Sequence, residues 1–264
     1  MILCIDVGNS HIYAGVFQDD NILLRFRLET RQTITSDQMG VFLKNVLREN
    51  NLDPHSIKYI AISSVVPSID HSLGSACIKY FKLEPFWLRA GARTGLKLKT
   101  KNPNELGADL IATAIAAVKQ FPNQNVVVVD FGTATTYVPI AADKTFLGVV
   151  IEAGIRTSML ALQLNTAQLP TVQINKPEEV VGRDTVSSIQ AGLYYGQLGA
   201  LREIIKNIKQ EIFDNEKTVI IGTGGFSSLF ENEKIFNVIN PDLVLQGIKL
   251  ALEMNLQKEQ KSVK

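Results

Sequence analysis

Two spacings of apolar residues alternate along this chain. Short continuous or alternating apolar runs predict strands at 2–7, 11–18, 21–28, 58–62, 126–130, 134–140, 145–151 and 219–221. Apolar residues three or four positions apart predict helices near 38–50, 69–81, 105–120, 154–164 and 184–212, another after 225 and a last one from Asp242. Strands and helices therefore alternate throughout, which is typical of an α/β protein.

Polar residues at the ends of these segments predict where several helices begin. Ser36 or Asp37 is a plausible N-cap for the first helix, and Asn104 for the helix over 105–120, which Pro122 would end. The polar tail 257–264 is expected to fray.

One segment of the chain occurs twice. Residues 2–10 and 126–134 each contain a short apolar run, an aspartate, a spacer, a glycine and a small polar residue. Each copy continues through a tyrosine, Tyr13 or Tyr137, to a polar turn. A repeat of this length indicates a duplicated structural unit. We therefore expect two α/β domains, 1–118 and 119–264, whose last helix can pack back on the first domain.

Composition narrows the classes of function. The chain has 264 residues with 45% hydrophobic and 20% charged residues, which suits packed domains. A net charge of +1 gives no electrostatic attraction to nucleic acid or a membrane surface. No apolar stretch approaches the roughly 18 residues of a membrane helix. The two cysteines and three histidines show no disulfide framework or zinc spacing, so we expect a cytoplasmic protein.

The two Asp-x-Gly turns are candidate phosphate-binding loops. Gly8 allows close approach, and the backbone N–H groups with Asn9 and Ser10 would surround a phosphate. Asp6 can face a hydrated Mg²⁺ ion. A single such turn would more simply be a hairpin turn. Two matched copies favour phosphate binding, with the turns facing each other across a cleft.

The second turn adds threonines. Thr133, Thr135 and Thr136 offer hydroxyl groups, and Asp130 is a candidate cation ligand. These threonines are equally compatible with ordinary strand positions, in which Thr133 and Thr135 share one face. The run Gly222-Thr223-Gly224-Gly225 suits an adenosine pocket but is weak evidence by itself.

Asp109 is the best candidate for a general base. It lies nearly opposite Ile111 on the predicted helix. Its helical neighbours are mostly small and leave room for a substrate: Glu105, Ala112, Thr113 and Ala116. The alternative is a solvated acid in a first helical turn, where a negative charge is favourable. Spacing alone cannot choose between the two, and without further evidence we favour the solvated acid.

Taken together, these stretches resemble the type III pantothenate kinases of the sugar-kinase, Hsp70 and actin superfamily. The resemblance runs nearly end to end, and its motifs keep their order and spacing. It rests on Asp6-x-Gly8-Asn9-Ser10, Ser63-Ser64-Val65-Val66-Pro67, Asn102-Pro103, Gly107-Ala108-Asp109, Asp130-Phe131-Gly132-Thr133-Ala134-Thr135-Thr136, Gly182-Arg183-x-Thr185, Gln190-x-Gly192-x-x-Tyr195-Gly196, Thr223-Gly224-Gly225 and Pro241-Asp242-Leu243.

The resemblance implies two actin-like (ribonuclease H-like) domains with a cleft between them, a homodimer, and ATP-dependent phosphorylation of pantothenate, the first step toward coenzyme A. It also implies Mg²⁺ and a monovalent cation, potassium or ammonium, the latter at Asp130. It implies that Asp109 is catalytic. The implied ATP-binding residues are Asp6, Val7, Gly8, Asn9, Ser10, His11, Ile12, Tyr13 and Thr133. The implied pantothenate-binding residues are Thr100, Gly107, Ala108, Asp109, Leu110 and Thr185. Gly192, Gly196 and Gly199 lie in the segment that resembles the dimer-forming region; packing inside one subunit is the alternative.

The chain departs from the family pattern in three places. Thr100 stands where the family usually has tyrosine, and Leu110 where it has arginine. Residues 148–154 differ from the family's glycine-rich stretch, most clearly within 149–153. These departures keep two alternatives open: a non-catalytic nucleotide-binding relative that acts as a regulator, and a kinase for a different small acceptor.

Overall fold

The computed structural model describes the backbone of residues 1–262 and the side chains of residues 1–257. The tail expected to fray, 257–264, is instead helical as far as Ser262, and 263–264 lie outside the described residues. The chain groups into two compact units. The first comprises Met1–Gly95, Lys101–Ala116 and the segment from Leu243 onward; the second comprises Leu96–Thr100 and Ala117–Asp242.

The first unit contains a five-stranded sheet in the order β3-β2-β1-β4-β5. Its strands are β1 (Ile2–Val7), β2 (His11–Gln18), β3 (Asn21–Glu29), β4 (Tyr59–Ser64) and β5 (Phe86–Trp87). The helices α1 (Ser36–Glu49), α2 (Pro67–Ala76) and α6 (Leu243–Ser262) belong to this unit, as does most of α3 (Ala108–Gln120). Shorter helical turns lie at Pro54–Ser56, Cys77–Phe81 and Pro103–Glu105.

The second unit contains a seven-stranded sheet. Its strands are β6 (Lys97–Leu98), β7 (Asn125–Phe131), β8 (Ala134–Ile140), β9 (Thr145–Phe146), β10 (Val150–Ala153), β11 (Thr218–Gly224) and β12 (Val238–Ile239). The path through this sheet is β12-β11-β7-β8-β9-β6, and β10 pairs with β8. Its helices are α4 (Ile155–Leu164) and α5 (Thr185–Phe213), with a 3₁₀ turn at Ser227–Glu233.

The two sheets share one topology, which confirms the duplicated unit. In the first sheet β3, β2 and β1 form an antiparallel meander, and β4 then adds parallel to β1. In the second sheet β9, β8 and β7 repeat the meander, and β11 adds parallel to β7. The predicted α/β class is confirmed as well.

Each unit has its own hydrophobic core. In the first, β1 and β4 pack against apolar residues of α1 and α2: Leu3, Ile5, Val7, Ile60, Ile62, Met39, Leu43, Leu47, Ile69 and Leu73. In the second, β7 packs against α4 and α5: Val127, Val129, Met159, Leu198, Leu201 and Ile205. The helical spacing of the α1 and α5 residues explains why these segments fold as helices on a sheet.

Several predicted helix ends are wrong by a few residues. The N-cap of α1 is Thr35, whose Oγ1 accepts a hydrogen bond from the Gln38 N–H at 3.2 Å while the Gln38 side chain accepts from the Thr35 N–H. This capping box starts the helix one residue earlier than an N-cap at Ser36 would, and two residues earlier than one at Asp37. Asn104 does not cap α3, because Pro103 opens a separate 3₁₀ turn before it.

Two further predicted elements are divided. The strand predicted over 145–151 is broken into β9 and β10 around Gly148, whose φ of 137° few other residues adopt. The helix predicted near 69–81 ends at Ala76 and continues as a π-helical turn.

The last helix, α6, belongs to the first unit and contacts β1 and β4. Gly247 lets it approach α3, since a Cβ atom at this position would overlap the carbonyl group of Ala112. The almost fully buried Lys249 donates hydrogen bonds to Asp20 at 2.9 Å and Glu253 at 2.6 Å. These contacts keep a charged side chain satisfied inside the packed layer.

Both cysteines, Cys4 and Cys77, are free and buried. Burial raises the pKa of the Cys4 thiol and raises the pKa of Cys77 to about 12. Among the described residues no helix combines the length and apolar character that crossing a bilayer requires.

We predict that Gly247→Ala lowers the free energy of unfolding of the first unit by about 1–3 kcal/mol, because a backbone carbonyl cannot move aside as a flexible side chain can. Urea unfolding followed by the fluorescence of Trp87, the single tryptophan of the chain, measures this change. The matched control is Gly74→Ala in α2, where an added Cβ lies at an ordinary 3.4 Å from Trp87. An unchanged midpoint for Gly247→Ala would contradict the packing described for α6.

Candidate active site

The first Asp-x-Gly turn joins β1 to β2 and is anchored to the end of β3. The Gly8 N–H donates to the His11 carbonyl at 3.1 Å, which closes the turn. Thr30 donates from its hydroxyl to the Gly8 carbonyl at 2.7 Å and from its N–H to the Ser10 carbonyl at 3.0 Å. Asn9 and Ser10 are exposed. A fixed turn with exposed polar side chains is suited to hold an anionic ligand.

The residues around this turn differ in what they can offer. Val7 and Ile12 are buried in the hydrophobic core, so only their backbone groups can face a ligand. The exposed His11 begins β2. The Tyr13 ring is covered by the Arg27 guanidinium, whose carbon lies 4.4 Å from the ring centre. Cation–π contact of this kind fixes the ring in place.

Asp6 is half-buried near the end of β1, beside β4. The Ser63 hydroxyl donates to Asp6 Oδ1 at 3.0 Å. A hydrogen bond from a neighbouring strand orients the carboxylate without neutralising it. The Asp6 carboxylate is therefore held in one orientation near the end of β1.

The second turn joins β7 to β8 and is one residue shorter than the first. The Gly132 N–H donates to the Ala134 carbonyl at 3.1 Å. Asp130 is half-buried in β7 beside Gly224 at the end of β11. Gly224 has a φ of 83°, and a Cβ atom there would overlap Asp130 Oδ1. Glycine at this position lets the Asp130 carboxylate lie directly against the backbone of β11.

The threonines of the second turn have separate environments. Thr133 lies in the turn and is exposed. Thr135 is fully buried in β8, with its hydroxyl 3.5 Å from Gln197 Oε1, so the interpretation as an ordinary strand residue is correct for Thr135. The buried Thr136 hydroxyl has no hydrogen-bond partner among the described residues.

Asp109 lies in the first turn of α3 and is half-buried. Its Oδ1 accepts a hydrogen bond from the Leu110 N–H at 2.8 Å. Burial raises the pKa of this carboxyl, and the backbone hydrogen bonds oppose the rise. A raised pKa brings a carboxylate closer to the range in which it can take up a proton. The interpretation of Asp109 as a fully solvated acid therefore does not hold.

The expectation that the small helical neighbours of Asp109 leave room for a substrate is wrong. Ala112, Thr113 and Ala116 are buried, and Gly247 of α6 packs against Ala112. Their small size allows close helix packing instead of leaving room for a substrate.

The end of β4 connects Asp6 with Asp109 inside the first unit. Ser63 contacts Asp6, and the N–H of Val65 donates to the Val7 carbonyl at 3.0 Å. A Cβ atom on Gly107 would lie 3.5 Å from Val65 Cγ1 and would overlap Asp109 Oδ1. Glycine at 107 thus lets the carboxylate lie against the turn. Gly107 therefore lies beside the segment that follows β4, the strand whose Ser63 contacts Asp6.

Of the other expected site residues, Thr100, Asp130, Thr133 and Thr185 belong to the second unit. Thr100 is half-buried, and its hydroxyl has no hydrogen-bond partner among the described residues. Thr185 begins α5, which Asp184 caps by accepting from the Ser187 N–H at 2.9 Å. The expectation that the two turns face each other across a cleft stays a prediction.

A pocket of about 990 Å³ in the second unit includes Thr185. Sequence reasoning missed its wall from α4, where polar residues interrupt the apolar pattern at Thr157 and Ser158. Such an interruption in a helix is the signal that could have indicated a wall facing a ligand. The remaining lining residues are Ala153, Ala161, Leu162, Leu169, Gly182, Arg183, Asp184, Ser188, Ile189, Gly192 and Leu193.

No cluster of three or more histidine, cysteine or acidic side chains that could hold a metal ion occurs in the described part of the chain. A Mg²⁺ ion would therefore depend on phosphate oxygens and water, with a single carboxylate such as Asp6. This is the usual mode for Mg²⁺ at nucleotide sites.

Comparison with solved structures identifies the fold. A candidate 2-dehydro-3-deoxygalactonokinase from Sinorhizobium meliloti aligns with a TM-score of 0.58 and 12% identity over 96% of each chain. Component A of the (R)-2-hydroxyglutaryl-CoA dehydratase of Acidaminococcus fermentans aligns with a TM-score of 0.53 and 12% identity, over 97% of this chain and 98% of that one. The chain thus has the two-unit α/β fold of the sugar-kinase and actin class.

Sequence comparison is more specific. The family model for type III pantothenate kinase matches residues 2–207. Type III pantothenate kinase of Legionella pneumophila (strain Corby) is 58% identical over 97% of this chain and 99% of its own length. That of Elusimicrobium minutum is 48% identical over 97% and 99%, and type III pantothenate kinase 1 of Francisella tularensis subsp. holarctica is 46% identical over 97% and 100%. This chain belongs to the type III pantothenate kinase family.

We predict that Asp109→Asn does not destabilise the fold at neutral pH. The pKa of Asp109 is raised on folding, so its protonated form favours the folded state, and this contribution is lost as pH rises through the folded-state pKa. Asparagine stays neutral and keeps an acceptor for the Leu110 N–H. Urea unfolding at several pH values should show the variant gaining stability relative to the unaltered chain as pH rises. A relative loss with rising pH would contradict the burial of this carboxylate.

Proposed function

We propose that this chain catalyses ATP-dependent phosphorylation of pantothenate to 4′-phosphopantothenate, the first step of coenzyme A synthesis. The proposal depends on one observation in a chain that belongs to this family. Asp109 is half-buried, has a raised pKa and lies next to the Gly107 turn. Each element of the reaction then has a residue suited to it.

Asp109 would act as the general base. The primary hydroxyl of pantothenate attacks the γ-phosphorus of ATP and gives its proton to the Asp109 carboxylate. The new oxygen–phosphorus bond forms as the bond to the β–γ bridging oxygen breaks, and ADP leaves. Binding the acceptor at Gly107 and Ala108 would place its hydroxyl near this carboxylate.

ATP would occupy the first turn. Backbone N–H groups and the side chains of Asn9 and Ser10 would contact phosphate oxygens, and Asp6 would hold Mg²⁺ through water. Mg²⁺ supplies neutralisation of charge on the phosphates. Thr133 is a further residue proposed to bind ATP. The remaining residues proposed for the site, from Val7 to Tyr13, would shape the turn rather than contact phosphate.

Asp130 would hold the monovalent cation, potassium or ammonium. Its carboxylate is half-buried and lies directly against Gly224, where the Cβ atom of any larger residue would overlap it. The N–H of Gly225 donates to the Phe131 carbonyl at 3.1 Å, which fixes the glycine turn against this strand. A half-buried carboxylate held against a fixed backbone turn is a suitable ligand for a weakly hydrated cation.

The acceptor would contact Thr100, Leu110 and Thr185 in addition to the Gly107 turn. The buried Thr100 hydroxyl lacks a partner in the described residues, which costs about 1–3 kcal/mol for an unsatisfied group. A polar atom of the acceptor would remove that cost. The pocket of about 990 Å³ beside Thr185 has room for a pantothenate-sized molecule.

The functional molecule would be a cytoplasmic homodimer. One face of α5 carries three exposed glycines, Gly192, Gly196 and Gly199. A Cβ atom added to any of them would have no neighbour within 4 Å. They therefore do not serve packing inside the described subunit. Exposed apolar side chains lie in neighbouring segments: Ile151, Leu164, Val180, Val181 and Val186. Such surfaces mark protein interfaces, and buried free cysteines fit a reducing compartment.

The proposed activity is tested by mass detection of 4′-phosphopantothenate after incubation of the purified chain with ATP, Mg²⁺, pantothenate and either potassium or sodium. We expect product in potassium and little in sodium. We expect Asp109→Asn to lower kcat by at least about 10², the lower end of a general-base contribution. Its ATP dissociation constant, measured by calorimetry, should stay within about twofold, which separates chemistry from binding.

Saturable product formation would exclude a non-catalytic regulator. ATP consumption with other small alcohols, but not with pantothenate, would instead indicate a different acceptor. Near-normal turnover by Asp109→Asn would remove Asp109 from the role of base.

The dimer is tested at α5. Gly196→Leu should shift the chain toward monomer, because the larger side chain lies on the proposed contact face, whereas Asn45→Leu, on the exposed surface of α1, should not. Analytical ultracentrifugation measures both. A monomeric unaltered chain at micromolar concentration would refute the dimer.

A further inference from the structure

We propose that Thr157 is a positioning residue for ATP, because its hydroxyl holds the Gly132–Thr133 turn in the conformation that contacts the nucleotide. This inference rests on the proposed function, in which Thr133 binds ATP. It adds α4, which the sequence did not connect with the nucleotide.

The evidence begins at the Thr133 carbonyl oxygen. It accepts a hydrogen bond from Thr157 Oγ1 at 2.6 Å and another from the Gly154 N–H at 3.1 Å. Two donors occupy both lone pairs of one carbonyl. The carbonyl belongs to the residue in the middle of the exposed turn, so its orientation determines where the turn points.

Gly154 shows how close the two segments are. A Cβ atom at this position would lie 2.5 Å from the carbonyl oxygens of both Gly132 and Thr133. Its φ is −63°, an ordinary value, so glycine is required here for space and not for backbone conformation. The start of α4 therefore lies in direct contact with the backbone of the turn.

The start of α4 is itself held by buried polar groups. Strand β10 pairs with β8 immediately before it, with Glu152 opposite Thr135. Glu152 accepts hydrogen bonds from the Tyr137 hydroxyl at 2.6 Å and from Gln197 Nε2 at 2.5 Å. Tyr137 is fully buried and Gln197 nearly so. This network fixes β10, and β10 in turn positions Gly154 and Thr157.

The direction of the Thr157 hydrogen bond is informative. A threonine inside a helix commonly donates to a carbonyl three or four residues earlier, but Thr157 is the third residue of α4, so those positions precede the helix. Thr157 instead donates to a carbonyl that is 24 residues earlier, in another element. A local role in α4 therefore does not explain this hydroxyl. Thr157 also lines the pocket beside Thr185, so it lies between the nucleotide turn and the proposed acceptor pocket.

The test compares Thr157→Val, which keeps the shape and removes the hydroxyl, with Thr157→Ser, which keeps the hydroxyl. Loss of one hydrogen bond to the turn should raise the ATP dissociation constant about fivefold to tenfold for the valine variant. The serine variant should bind ATP within about twofold of the unaltered chain. Calorimetry with Mg²⁺ and ATP measures binding without turnover, and Thr157→Ala provides a second variant without the hydroxyl if the valine variant does not fold.

Kinetics separate positioning from general damage. We expect the KM for ATP to rise in Thr157→Val and to stay within about twofold in Thr157→Ser, while the thermal unfolding midpoint changes little. ATP binding within about twofold in both variants that lack the hydroxyl would overturn the inference, whatever happened to stability. Equal weakening by serine and valine would also overturn it, because serine retains the donor.

The inference and the proposed function can fail separately. If the unaltered chain binds ATP but does not phosphorylate pantothenate, and Thr157→Val weakens that binding, the proposed function fails and the inference stands. If pantothenate is phosphorylated and Thr157→Val binds ATP normally, only the inference fails. Absence of ATP binding by the unaltered chain would overturn both.

Discussion

Parallel pairing of the first strand of each meander with a later strand is the constraint on which both units depend. β4 runs parallel to β1, and β11 runs parallel to β7. Parallel neighbours end at the same edge of a sheet, so the turn after the first strand and the segment after the second must meet there. In the first unit this brings Asp6 to Ser63. In the second it brings Asp130 to Gly224.

The sequence predicts this framework well because its signals are local. The apolar runs of β1 and β7, each followed by Asp-x-Gly, identify the duplicated meander, and the contrast between period-two and helical spacing gives the α/β class. The position of Asp109 in a first helical turn also follows from spacing. The ends of helices are predicted less well from the sequence. Thr35 is the N-cap of α1 because of its reciprocal hydrogen bonds with Gln38, which residue spacing does not reveal.

What the sequence could not provide are contacts between distant segments. The small residues beside Asp109 have the same pattern whether they face a substrate or a helix, and only the position of α6 decides between them. The hydrogen bond from Thr157 to Thr133 joins elements whose proximity depends on how β10 pairs with β8. The open face of the α5 glycines likewise becomes visible only when the whole unit is folded.

Burial of the Cys4 thiol affects how this residue reacts with chemical reagents. Cys4 lies in β1 beneath α6, close enough to Lys249 and Glu253 for their charges to act on it, and burial suppresses its thiolate. A thiol in that state reacts slowly with alkylating reagents and peroxides. Its labelling rate then reports how often α6 lifts from the sheet, much as amide exchange reports local opening. The Cys4 thiol is thus a built-in probe for detachment of the C-terminal helix.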